Sequence, residues 1–235
     1  NINKITLVFL FMSILINAQE IVIQGGGSLM DWANLKKYQK SNEEINKKND
    51  PNRVVFMGNS ITEGWGILDK DFFIDNPFVN RGISGQTTPQ MLIRFKPDVV
   101  NLNPKSVVIM AGINDIAGNT GSITIANTAE NIISMVEIAA ASNISVYICS
   151  TLPAIDFPWS PGLEPGPKVV MLNSILKNYC AKKDITYVDY YSVMSDSKGG
   201  LKVPEFTSAD DLVHPNLAGY KVMEKIILSS LKLSH

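Results

Sequence analysis

Four short stretches of the chain are continuously apolar and rich in β-branched residues: 53–57, 105–111, 144–150 and 186–188. Runs of this length without polar alternation predict strands covered on both faces, as in a parallel sheet. Between them the apolar positions recur at helical spacing. Residues 88–100 form one such stretch. Residues 122–141 carry Ile125, Ile132, Met135, Val136 and Ala139; residues 168–183 carry Leu172, Ile175, Leu176 and Tyr179. The last, 216–231, carries Tyr220, Met223, Ile227 and Leu231. Strands alternating with helices predict an α/β fold with a mostly parallel sheet. Reactive groups in such sheets collect beyond the C-terminal strand ends. The places to look are therefore just after Met57, Ala111 and Ser150.

Two segments stand outside the alternation. Residues 31–48 read as a polar helix with Trp32, Leu35, Tyr38 and Ile45 on one side. Residues 153–167 are rich in Pro and Gly, carry Phe157 and Trp159, and read as a long loop over a binding site. At the start, Lys4 precedes an apolar run over 5–16, broken by Thr6 and Ser13 and followed by Asn17-Ala18. A basic start, a short apolar core and a small residue before polar Gln19-Glu20 predict a signal peptide over 1–18. The run is short for a membrane span; an uncleaved anchor is the alternative. The remainder, 19–235, contains no linker and is expected to be a single domain, secreted or periplasmic, with no stable membrane insertion after cleavage.

Composition narrows the partners. The 235 residues are 45% hydrophobic and 18% charged, with a formal net charge of -1. This suits a sizeable core, and the absence of a basic stripe excludes nucleic acid as an expected partner. Two Cys and two His give a closed zinc site little to work with, so no metal is expected. Cys149 and Cys180 could form one disulfide in an oxidising compartment; buried free thiols are the preferred reading. The sequence contains no phosphate-cradling Gly-x-x-x-x-Gly-Lys-Ser/Thr run, so no nucleotide or other cofactor is expected.

Three clusters carry candidate chemistry. Gly58-Asn59-Ser60-Ile61-Thr62 and Gly112-Ile113-Asn114-Asp115 each follow a strand, and Asp211-Leu212-Val213-His214-Pro215 precedes the last helix. His235 is the terminal residue, where fraying is expected, which leaves His214 as the candidate base. A serine hydroxyl needs such a base to attack at neutral pH, and the base needs a group that fixes its tautomer. Asp211, three residues before His214, can fold back in a turn to meet its ring. Taken singly, each cluster is an ordinary turn, helix cap or chance spacing. In this order, each at a strand end or just before a helix, they reinforce one another.

Together these residues resemble the SGNH hydrolases, or GDSL-type esterases and lipases. Gly58-Asn59-Ser60 is similar to their nucleophile block. The stretch from Asn80 through Arg81, Gly82, Ile83, Ser84, Gly85, Gln86 and Thr87 to Thr88 is similar to the second block. Gly112–Asp115 resembles the third block, and Asp211–His214 the block with the catalytic Asp and His. The resemblance spans about 53–231. It implies a three-layer αβα sandwich, flavodoxin-like, with a mostly parallel five-stranded sheet. It also implies Ser60, Asp211 and His214 as the catalytic set, and the Ser60 N–H, the Gly85 N–H and the Asn114 side chain as oxyanion donors. A glycine at 85 lets backbone approach the reacting oxygen closely. The family usually has Asp where Asn59 stands and often Asp where Gln86 stands. Gly58-x-Ser60-x-Thr62 lacks the final glycine of an α/β-hydrolase elbow, which ranks that fold lower.

The expected function is a serine ester hydrolase acting through an acyl-enzyme on short-chain acyl or acetyl esters, including small-molecule or glycan esters. A lysophospholipase, a thioesterase and a non-catalytic carbohydrate-binding module are the alternatives. Trp65, Phe157 and Trp159 are candidate substrate contacts, suited to stacking on a sugar ring; core packing explains Trp65 equally well.

Overall fold

The apolar runs form strands, and each strand delivers its chain to the same end of one sheet. The structure, a computed structural model, describes residue 28 and residues 30–231. The strands are β1 (Val54–Gly58), β2 (Phe78–Gly82), β3 (Ser106–Met110), β4 (Ser145–Cys149) and β5 (Thr186–Val188). They pair in the order β2-β1-β3-β4-β5, all parallel. Parallel neighbours need crossover connections, and helices supply them. These are α2 (Ser60–Leu68) with α3 (Lys70–Ile74), then α4 (Thr88–Asp98), α6 (Ile125–Ala141) and α7 (Pro165–Lys183); α9 (Leu217–Leu231) follows the last strand. Short turns α5 (Ile113–Ile116) and α8 (Tyr191–Met194) lie between, and α1 (Gln39–Asn46) precedes β1. The result is the α/β sandwich expected from the resemblance.

One helical layer is tied together by aromatic side chains. Trp65 of α2 stacks on Phe72 of α3 at 4.8 Å and on Tyr220 of α9 at 5.6 Å, and the Tyr220 hydroxyl donates to the Ile61 carbonyl at 2.8 Å. Phe56 of β1 and Phe78 of β2 meet this cluster from the sheet. On the other side α6 lies between α4 and α7. β1 and β3 are buried along their whole length, as their unbroken hydrophobicity requires.

Register decides where the chemistry is placed. Gly58 at the end of β1 is level with Gly82 of β2 and with Met110 of β3. The segments that leave these three strands therefore start side by side. The strand order reverses direction between β1 and β3, the switch point at which such sheets open a crevice.

The sequence pattern misled in two places. Strand β2 escapes the pattern because Asn80 and Arg81 interrupt its apolar residues; it is an edge strand with one neighbour, so it needs no continuous apolar run. The helix expected over 31–48 is present only as α1. Before it, Asn34 adopts a left-handed φ of 55°, and the Asp31 carboxylate accepts the N–H groups of Leu35 at 2.8 Å and Lys36 at 3.1 Å. The Trp32 and Ala33 carbonyls are taken by the side-chain amides of Gln90 and Gln86, at 2.9 and 2.7 Å. Local side-chain bonds and tertiary acceptors thus outcompete the helical ladder. Cys149 and Cys180 are both free and buried, and burial pushes their thiols up to about 12 and about 11. The segment 1–18 lies outside the described residues, as does His235.

Candidate active site

Ser60 is the first residue of α2, and the helix begins there because Asn59 caps it. The Asn59 side chain accepts the Ile61 N–H at 3.0 Å. In this position the Ser60 N–H belongs to the first turn, whose donors have no intrahelical acceptor. The neutral Asn59 thus fills the capping position for which the resemblance led one to expect Asp.

The Ser60 hydroxyl lies 2.9 Å from His214 Nε2. On the far side of the ring, Nδ1 lies 2.8 and 3.0 Å from the two Asp211 carboxylate oxygens. A carboxylate accepts only, so Nδ1 carries the proton and Nε2 is left to accept from the serine. Asp211 is itself held by the backbone: its Oδ1 accepts the Val213 and His214 N–H groups at 3.1 and 2.8 Å. Leu212 makes this nest at a φ of 64°, in the left-handed region that a leucine seldom occupies. Asp210 is exposed.

Ser60 and His214 line a cleft of about 340 Å³ together with Ser84, Gly85, Asn114, Asn119 and Trp159. Gly85 has a φ of 76°, so a side chain here would strain the turn. Its carbonyl accepts from the Asn119 side chain at 3.1 Å. The Asn114 amide donates one hydrogen to the Gln86 carbonyl at 2.9 Å, which leaves its second hydrogen for the cleft.

Behind the cleft runs a buried polar network. Arg94 of α4 donates to the Gly58 carbonyl at 2.9 Å, to the Gln86 side chain, and to Asp98 at 3.1 Å. Asp98 in turn accepts from Asn42 at 2.7 Å, and Asn42 accepts from Arg81 at 2.9 and 2.7 Å. Burial pulls the Arg94 guanidinium below its ordinary range, and Asp98 opposes that pull. One side chain thereby ties the turn at Gly58, just before Ser60, to the Gly85–Gln86 loop. Asp115 accepts the Thr88 N–H at 3.0 and 3.1 Å and the Thr88 hydroxyl; burial raises its carboxyl to about 6 despite these bonds. The residue pattern marked Gly85 and Asn114, but neither Arg94 nor Asn119, because both act through partners distant in sequence.

The family model for the GDSL-like Lipase/Acylhydrolase family matches residues 56–222, a span that holds Asp211 and every residue lining the cleft. The chain belongs to this family. It is 48% identical to a Bacteroides fragilis protein solved as a candidate acylhydrolase, with a TM-score of 0.81 over 86% of this chain and 97% of that one. A GDSL-like lipase from Bacteroides thetaiotaomicron is 43% identical, with a TM-score of 0.80 and coverage of 85% and 98%. The uncharacterized lipoprotein YqeF of Bacillus subtilis is 26% identical over 156 residues, and the matched part spans 64% of that curated relative and 59% of this chain.

In this GDSL-like chain the three aromatic candidates separate. Trp65 is 1% exposed, sealed among Phe72, Tyr220 and Phe56, and cannot touch a substrate. Phe157 is fully buried and likewise core. Trp159 is 46% exposed, stacks on Phe157 at 5.2 Å and stands 6.1 Å from the His214 ring. The loop that carries it is pinned by Asp156, which accepts the Phe157 and Gly162 N–H groups at 2.9 and 3.0 Å. Among the described residues no group of His, Cys, Asp and Glu could hold a metal, and no helix is long and apolar enough to cross a membrane.

Proposed function

We propose that the chain is a serine ester hydrolase with Ser60 as nucleophile, His214 as general base and Asp211 as the group that orients it. The observation that carries this reading is the continuous line from the Ser60 hydroxyl through His214 to Asp211 at the mouth of one cleft. In the first half-reaction Ser60 Oγ bonds to the acyl carbon while its proton passes to His214 Nε2. The oxyanion is met by the N–H groups of Ser60 and Gly85 and the free amide hydrogen of Asn114. The C–O bond to the alcohol then breaks, and His214 returns the proton to the leaving oxygen. A water molecule repeats the sequence on the acyl-enzyme, releasing the acid and restoring Ser60.

The lining also speaks to substrate. Apart from Trp159 it consists of serines, asparagines, glycine and His214, with no aliphatic wall. A long acyl chain gains about 0.8 kcal/mol for each CH₂ it buries, and among the residues lining this cleft only Trp159 offers a large apolar face. Short acyl groups, acetyl foremost, on a polar alcohol such as a sugar fit it better, with Trp159 as the stacking surface. On the same reading 1–18 is a secretory signal, 19–235 is one domain, and the enzyme meets its substrate outside the cytoplasm.

The test is labelling followed by a substrate series. A fluorophosphonate is expected to modify Ser60, and Ser60→Ala to abolish both labelling and turnover without unfolding the protein. Modification of another serine would overturn the mechanism. Across p-nitrophenyl acetate, butyrate, octanoate and palmitate, kcat/KM is expected to fall with chain length, with acetate released from acetylated xylan or pectin oligosaccharides. Preference for octanoate or a lysophospholipid would refute the substrate assignment and leave the serine chemistry standing.

A further inference from the structure

Ahead of the family-matched span, the chain sends one cation to the edge of the cleft. Lys37 pairs with Glu63, whose carboxylate also accepts the Ser84 N–H at 2.7 Å and the Ser84 hydroxyl. Glu63 lies on α2, one turn beyond Ser60. Burial alone would raise its carboxyl; the bonds from Lys37 and Ser84 prevail and hold it below the usual value, so it stays ionised. The helix is fitted tightly to the strand end here: a Cβ on Gly82 would lie 2.1 Å from the Glu63 backbone nitrogen.

These contacts bear on one peptide group. The unit between Ser84 and Gly85 carries the Gly85 N–H. On one side Glu63 holds the Ser84 N–H; on the other Asn119 holds the Gly85 carbonyl. A short loop with a left-handed residue has alternative peptide orientations, and fixing both neighbours removes most of them. The Lys37 ammonium also balances a negative charge that would otherwise stand beside a developing oxyanion.

The geometry points to Glu63, supported by Lys37, as a positioning residue that orients the Gly85 N–H toward the oxyanion from the nucleophile's own helix. This rests on the serine reading above. It makes the segment before the family-matched span part of the working site, because Lys37 and the Ala33 carbonyl on Gln86 both brace the same loop.

The experiment compares kcat and KM for p-nitrophenyl acetate in Glu63→Ala, Glu63→Gln and Lys37→Met, with thermal melts of each. Glu63→Ala is expected to lower kcat about tenfold with KM within about twofold, as for loss of support felt in the transition state. Glu63→Gln keeps an acceptor for the Ser84 N–H and is expected to recover most of that loss. Lys37→Met is expected to fall between wild type and Glu63→Ala. A kcat within about twofold of wild type in Glu63→Ala, a rise in KM alone, or no recovery in Glu63→Gln would overturn the assignment. Fluorophosphonate labelling of the wild-type protein keeps the two readings apart: absence of label on Ser60 rejects the serine mechanism, whereas label on Ser60 with an unaffected Glu63→Ala rejects only the role of Glu63.

Discussion

The two sides of the cleft are built in opposite ways. The side that carries the proposed oxyanion donors is backed by a buried lattice of charge and amide groups; Arg94 and Asp98 at its centre are fully buried. The side that carries the proposed base and its carboxylate is one surface loop, and the His214 and Asp211 side chains are 35% and 37% exposed. The difference follows from what each must do. Donors aimed at a developing charge act by staying still, and a low-dielectric lattice holds them still. An imidazole that takes a proton and gives it back needs one firm partner and room to solvate its charged form, which a partly exposed loop provides.

The largest expected difference between the sides is in stability. Arg94→Met leaves the Asp98 carboxylate buried without its cation and strips the Gly58 carbonyl and Gln86 of a donor. Unfolding in urea is expected to show a loss of about 3–5 kcal/mol. A loss no larger than that of a surface substitution would mean the lattice does not carry the site.

Next come two substitutions with similar kinetic effects and different structural ones. Asn114→Ala is expected to cut kcat about a hundredfold with little change in KM, since its amide meets charge present only in the transition state. Asp211→Asn is expected to cut kcat by roughly a hundredfold or more, and Asp210→Asn much less. Because Asp211 sits on the exposed loop, its substitution is expected to leave the unfolding midpoint close to wild type. If Asp211→Asn destabilises as strongly as Arg94→Met, the contrast between rigid and exposed sides fails.

A smaller effect separates the sides by pH. Burial raises Asp115 from its ordinary 3.8 to about 6 in the folded protein. The folded state therefore prefers the protonated acid. The stability this contributes is complete below about pH 4 and is lost as pH rises through about 6, on the order of 2–3 kcal/mol in all. Asp115→Asn is expected to flatten that part of the stability profile in urea titrations; an unchanged profile would show that Asp115 does not carry it.

The smallest test concerns the loop's own strain. Leu212→Val puts a β-branched residue at a left-handed φ and is expected to cost about 1 kcal/mol or somewhat more. Leu212→Gly is expected to melt above Leu212→Val, because glycine enters this region without steric cost. Equal melting temperatures for the two would remove the argument that the nest around Asp211 is held under strain.

Much of this molecule was legible along the chain because the relevant physics is local. Continuous apolar runs in 53–57, 105–111 and 144–150 and the 3.6-residue period of the long helices fixed the alternation and hence the class of fold. Strand ends identify themselves by the glycines and small polar residues that follow, so Ser60 and Asn114 could be named as candidates, and the Asp211–His214 pair by its place before the last helix. Other features depend on what lies across the sheet. Strand β2 exists because its one neighbour supplies the hydrogen bonds that its own polar residues do not advertise. Residues 30–38 leave the helix because Gln86 and Gln90 claim their carbonyls, and α1 begins only after them. Trp65, Phe157 and Trp159 are alike as letters, yet Phe72 and Tyr220 bury the first, the second is enclosed in the core, and only the third reaches the cleft. Burial, pairing of charges and the aim of a side chain are properties of packed neighbours distant in sequence, and these the tertiary structure alone decided.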